Sequence, residues 1–123
     1  MATRPLSPHL SIYRFSITMA MSIVHRITGI GLYFGTALVA LWLGAAALGE
    51  GPFGLAQAFA DHWFGRFILF GYTWALFHHM LGGIRHFIWD TGTGYGRARF
   101  LLAWVTLAGS LLITATIWFW ALA

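Results

Sequence analysis

Ser22, His25, Arg26 and Gly29 recur at i, i+3, i+4 and i+7, so a helix through them gathers all four on one face. That face offers a hydroxyl, an imidazole, a fixed cation and the gap left by a glycine. Such a set can hold a carbonyl oxygen or a carboxylate, with Arg26 as a charge-assisted donor. A plainer role also fits the spacing: Arg26 as an end-anchor reaching toward a membrane surface, and His25 as an interfacial residue. A second set, His79, Gly82, Gly83, His86 and Asp90, falls at i, i+3, i+4, i+7 and i+11, again one helical face, while His78 and Arg85 pair separately at i and i+7. Counting back from Asp90 at about 1.5 Å per residue puts His79 about 16 Å deep, near the middle of a bilayer. A neutral imidazole there is a good iron ligand, and two flanking glycines give a flat macrocycle room to approach. It can equally hydrogen-bond a neighbouring helix. The set fits zinc poorly, because His79 and His86 are too far apart for a tight pair and no cysteine joins them.

The two sets belong to the same half of the membrane. A haem held at mid-depth by His79 would extend its propionates toward one surface, and His25 and Arg26 are placed to receive them if that surface is cytoplasmic. This face supplies one iron ligand, whereas a six-coordinate electron-transfer haem needs two. His86 is too far along the helix to be the second, which must then come from another chain.

The elements that position these residues are three apolar runs. Of 123 residues, 59% are hydrophobic and 8% charged, too apolar a balance for an ordinary soluble domain. Ile27 to Leu48 has no charge or proline, Phe67 to Ile84 has no formal charge beyond its histidines, and Leu101 to Ala123 is uncharged. Each approaches or exceeds the roughly 20 residues that cross about 30 Å of hydrocarbon as a helix. Trp63, Trp89, Trp104 and Trp118 lie near the ends of runs, where aromatic anchors belong. The expected fold is all-α: one integral membrane three-helix bundle, with spans at about 22–48, 64–89 and 100–122 and a short N-terminal segment at the cytoplasmic surface.

Between the first two spans, Gly49-Glu50-Gly51-Pro52 is expected to break the helix, with Gln57 to His62 as a short interfacial segment. The glycine-rich stretch Asp90 to Gly96 reads as an interhelical turn, since no strand precedes it to make a phosphate-binding loop. All seven basic residues are Arg. Arg4, Arg14, Arg26, Arg85, Arg97 and Arg99 fall on the N-terminal and second-loop side, against Arg66 alone on the other, offset by Glu50 and Asp61. The positive-inside rule therefore places the N-terminus and second loop in the cytoplasm and the C-terminus outside. The formal charge of +4 comes with no basic stripe or stacking motif, so nucleic acid is not an expected partner. With no cysteine, the chain has no disulfide or thiolate-held cluster of its own. The N-terminal residues lack the apolar core of a signal peptide and the long Arg/Ser-rich leader of a mitochondrial import sequence.

Three segments together carry a family resemblance: Arg4-Pro5-Leu6-Ser7-Pro8-His9-Leu10-Ser11-Ile12-Tyr13, then Ser22-Ile23-Val24-His25-Arg26-Ile27-Thr28-Gly29, then His79-Met80-Leu81-Gly82-Gly83-Ile84-Arg85-His86 with Trp89-Asp90. In order, span number and length the chain resembles the larger cytochrome b membrane-anchor subunit of succinate dehydrogenase. The resemblance implies a subunit that, with a smaller anchor protein, holds a shared haem b and a ubiquinone site beneath a flavoprotein and an iron–sulfur protein. By motif, His79 corresponds to the axial haem ligand, and Ser22 and Arg26 to the quinone-contacting pair. His25 and Arg26 correspond to neighbours of the haem propionates, with His86 and Asp90 as further polar contacts near the cytoplasmic end of span two. It implies electron transfer from the iron–sulfur subunit to quinone and no succinate chemistry in this chain. The N-terminal motif and the absence of a long leader imply a bacterial inner (plasma) membrane protein. A fumarate reductase anchor, and a cofactor-free scaffold or transporter subunit, are the rival expectations.

Overall fold

In a computed structural model, which describes Pro5 and residues 7–123, all regular structure among the described residues is helical. A 3₁₀ turn at His9–Ile12 is followed by α1 (Ile17–Leu48), α2 (Glu50–Asp61), α3 (Trp63–Asp90) and α4 (Ala98–Leu122). Arg4 and Leu6, which contribute to the orientation argument and the N-terminal motif, lie outside the described residues.

Three of these helices, α1, α3 and α4, are long and apolar enough to cross a membrane. At 32 residues, α1 is about 48 Å long, well beyond a hydrocarbon core of about 30 Å. It begins at Ile17, so Ser22, His25 and Arg26 lie in its second and third turns, before the charge-free run. The surface is inside-out by soluble standards. Met21 and Ala103 are the only hydrophobic residues fully buried among those described, while Leu41, Phe67, Leu112 and Trp120 are exposed. Apolar side chains turned outward suit lipid or neighbouring subunits, and the interior seams use small and hydroxyl residues that let helices approach closely.

The connection between the first two spans differs from expectation. Gly49 ends α1 at φ 107° and ψ −173°, a conformation only glycine adopts easily, but the chain re-enters a helix at once. Residues Glu50–Asp61 form a full 12-residue helix in place of a short segment at Gln57 to His62. Pro52 does not prevent this, because it occupies the first turn, where backbone N–H groups have no intrahelical acceptor to lose. The Trp42 indole N–H donates to Gln57 Oε1 at 3.1 Å and ties α2 to α1. At the other corner, a Cβ on Gly65 would overlap the Phe59 carbonyl, so only glycine allows α3 to leave α2 this closely.

Helix α3 runs antiparallel to both long neighbours. Against α1, glycines receive rings: Gly29 faces His79, Gly35 faces Tyr72 and Gly82 faces His25. Against α4, His78 meets Ser110, the Trp118 indole donates to Thr73 Oγ1 at 3.2 Å, and Gly109 meets Leu81. The turn from α3 to α4 is closed by its own bonds: Trp89 Nε1 donates to the Gly94 carbonyl at 3.2 Å, and the Tyr95 hydroxyl to the Trp89 carbonyl at 3.0 Å.

Candidate functional site

Three imidazoles meet at the α1/α3 seam. His25 and His79 stack with ring centroids 3.9 Å apart and planes 5° from parallel, and His86 lies 5.1 Å from His25 on the other side. The glycines make this possible. A Cβ on Gly29 would come within 2.9 Å of His79 Cε1, and one on Gly82 would overlap His25 Nδ1. Among the described residues Gly83, expected to open space beside His79, has nothing within 4 Å of an added Cβ, whereas Gly82 is filled by the His25 ring.

Hydrogen bonding assigns the His79 tautomer. Its Nδ1 lies 3.1 Å from the His25 carbonyl oxygen, which can only accept, so Nδ1 carries the proton. Thr28 Oγ1 donates to the same carbonyl at 3.0 Å and sits 3.4 Å from Nδ1. A ring held this way has its lone pair on Nε2, the arrangement typical of a metal-ligating histidine. No hydrogen bond reaches His79 Nε2 among the described residues. His86 is fixed differently, with Nδ1 donating to the Gly82 carbonyl at 2.7 Å and the ring exposed.

The other expected site residues divide. Ser22 and Arg26 remain on the exposed side of α1, and neither makes a side-chain hydrogen bond or ion pair among the described residues. Asp90 ends α3, exposed, a turn beyond His86 and outside the imidazole cluster. His78 is fully buried on the α4 side, with Nδ1 3.2 Å from Ser110 Oγ. Arg85 is also buried, its guanidinium 5.2 Å from the Trp89 ring centroid. Among the described residues no group of three or more His, Cys, Asp or Glu is arranged to hold a metal ion unaided. A haem brings four nitrogen ligands of its own, so a single donor such as His79 Nε2 would suffice for this chain to help hold one.

Sequence reasoning did not single out Thr28 and Ser110. Thr28 follows His25 by three residues, the spacing at which a hydroxyl reaches back to a helical carbonyl. Ser110 belongs to a buried row, Ala103, Thr106, Ser110 and Thr114, set at i, i+3, i+7 and i+11 within an otherwise apolar run. That row was visible as polar spacing on one helical face.

Residues 2–120 match the family described as the succinate dehydrogenase/fumarate reductase transmembrane subunit. The chain belongs to this family. It is 45% identical over 91 residues to the succinate dehydrogenase cytochrome b556 subunit of Paracoccus denitrificans, covering 74% of this chain and 70% of that one. The protein of the same name from Rickettsia felis is 37% identical over 116 residues, 94% of this chain and 90% of that one. The mitochondrial succinate dehydrogenase cytochrome b560 subunit of Sus scrofa is 43% identical over 98 residues, 76% of this chain and 56% of that one. Membership makes the three long apolar helices the spans of a membrane subunit. The exposed apolar faces are then surfaces for lipid and neighbouring chains.

Proposed function

We propose that this chain is the cytochrome b anchor of a bacterial inner-membrane succinate dehydrogenase, contributing His79 to a haem b and Ser22 and Arg26 to a ubiquinone-reducing site. The observation that supports this best is the His79 tautomer: Nδ1–H is committed to the His25 carbonyl and Nε2 is left to ligate. A smaller anchor subunit would complete the haem site, and a flavoprotein and an iron–sulfur protein would dock on the cytoplasmic side. When bound, the haem supplies a one-electron reservoir beside the quinone site.

On this reading the chain's own residues bind and orient. Among the described residues neither Arg26 nor Ser22 has a side-chain partner, and both face outward, so their N–H and O–H donors are available to a quinone arriving at the edge of α1. A guanidinium aimed at a quinone carbonyl stabilises the negative charge that accumulates on oxygen as electrons arrive from the iron–sulfur partner. Conversion to quinol takes up two electrons and two protons, and His25, one turn beyond Ser22, is the nearby group able to carry a proton. The fixed charge of Arg26 near the cytoplasmic end of α1 also suits the orientation proposed from Arg placement.

The test separates quinone chemistry from succinate chemistry in the purified complex. Ser22→Ala should lower succinate:quinone reductase activity by about 2- to 10-fold and Arg26→Leu by about 10- to 150-fold, because a neutral hydroxyl donor contributes about 0.5–1.5 kcal/mol and a charge-assisted donor about 1.5–3 kcal/mol. Succinate oxidation with a soluble artificial acceptor should be unchanged. Parental quinone reductase activity in both variants would overturn the assignment of the pair.

A further inference from the structure

His78 and His79 are consecutive, so their directions around α3 differ by about 100°. His79 points to α1, while His78 is fully buried against α4. At that seam Ser110 Oγ donates its proton to the Leu107 carbonyl at 2.9 Å, so its oxygen accepts from His78 Nδ1–H at 3.2 Å. Ser110 is itself fully buried, and the Trp74 ring lies 5.1 Å from the His78 ring. A hydrogen bond between two buried side chains on packed helices fixes the rotation of one against the other more sharply than apolar contact, which is non-directional. The same bond therefore governs where the next residue points. The tip of an imidazole stands roughly 6 Å from the helix axis, so rotating α3 by about 10° would carry His79 Nε2 about 1 Å sideways. Constellations of this kind work within about 0.5 Å and 10–20°.

We propose that His78, hydrogen-bonded to Ser110 across the α3/α4 seam, is a positioning residue that sets the rotation of α3 and so the direction in which His79 presents Nε2. The proposal rests on His79 being the haem ligand, and its test reads the ligand's geometry rather than turnover. In the purified intact complex, His78→Phe keeps a ring of similar size without the donor, and Ser110→Ala removes the acceptor. Each should retain haem, shift the haem midpoint potential in the same direction and alter the low-temperature electron paramagnetic resonance signal. The double variant should shift no further than either single one, because all three lose the same bond. Ser110→Thr, which keeps the hydroxyl, should restore the parental potential and signal. Parental values in both single variants, or additive shifts in the double, would overturn the proposal while leaving His79 as ligand. A parental complex without haem would instead overturn the reading beneath it.

Discussion

The ring of His25 lies flat against that of His79 at 3.9 Å, and the His25 backbone carbonyl accepts a hydrogen bond from His79 Nδ1–H. One residue of α1 thus holds His79 twice, by its side chain and by its main chain. Packing and hydrogen bonding constrain different motions: the stack restrains tilt of the imidazole, and the bond restrains its spin and selects its tautomer. His79 is prepared on three sides, since Gly29 closes against its edge and Thr28 bonds the same carbonyl.

Glycine at position 29 is a requirement of this contact. Gly29→Ala and Gly44→Ala share the same intrinsic gain in helix propensity, up to about 1 kcal/mol. Among the described residues a Cβ at Gly44 would meet nothing within 4 Å, whereas at Gly29 it meets the His79 ring at 2.9 Å. Gly29→Ala should therefore be less stable than Gly44→Ala by about 1–3 kcal/mol, the usual penalty for an extra methyl in a packed site. Thermal unfolding followed by circular dichroism checks it, with equal melting temperatures as the contrary result.

The corner between α1 and α2 makes a separate demand. Gly49, at φ 107° and ψ −173°, occupies a region closed to other residues without strain. Among the described residues no side chain crowds it, so the expected loss in Gly49→Ala is conformational, about 1–3 kcal/mol. The same melting experiment reads this, and haem content should be unaffected, since His79 lies 30 positions along the chain from Gly49.

Much of this architecture is legible in the sequence, for particular reasons. Ile27 to Leu48 and Leu101 to Ala123 are long, uncharged and unbroken, and in a hydrocarbon solvent such runs have few alternatives to a helix. The placement of His79 on a face with Gly82 and His86 follows from helical periodicity alone. Periodicity stops short of saying which faces meet. Gly82 was expected to leave room beside His79 but is filled by His25, because the crossing of α1 and α3 is set by glycine contacts far apart in sequence. Glu50–Asp61 was misjudged because Gly51-Pro52 is a breaker inside a helix and harmless in its first turn. Ser110 looked like one hydroxyl in an apolar span until the seam showed it opposite His78.

The direction of the chain in the membrane yields its own test. The arginine distribution predicts a cytoplasmic N-terminus and, after three crossings, an external C-terminus. An alkaline phosphatase reporter fused after Ala123 should be active, and a green fluorescent reporter at the same site dark. The reverse pattern would contradict the orientation and with it the cytoplasmic placement of Ser22 and Arg26.

Ligation of a haem b by His79 Nε2 is read most directly by the dithionite-reduced absorption spectrum of the purified complex, before and after His79→Ala. Haem b bands are expected in the parent, and their loss, or a large fall in haem content, in the variant. The neighbouring His78→Ala should keep the bands, since His78 faces α4. A parent without haem b bands, or a His79→Ala complex that retains them in full, would contradict this ligation.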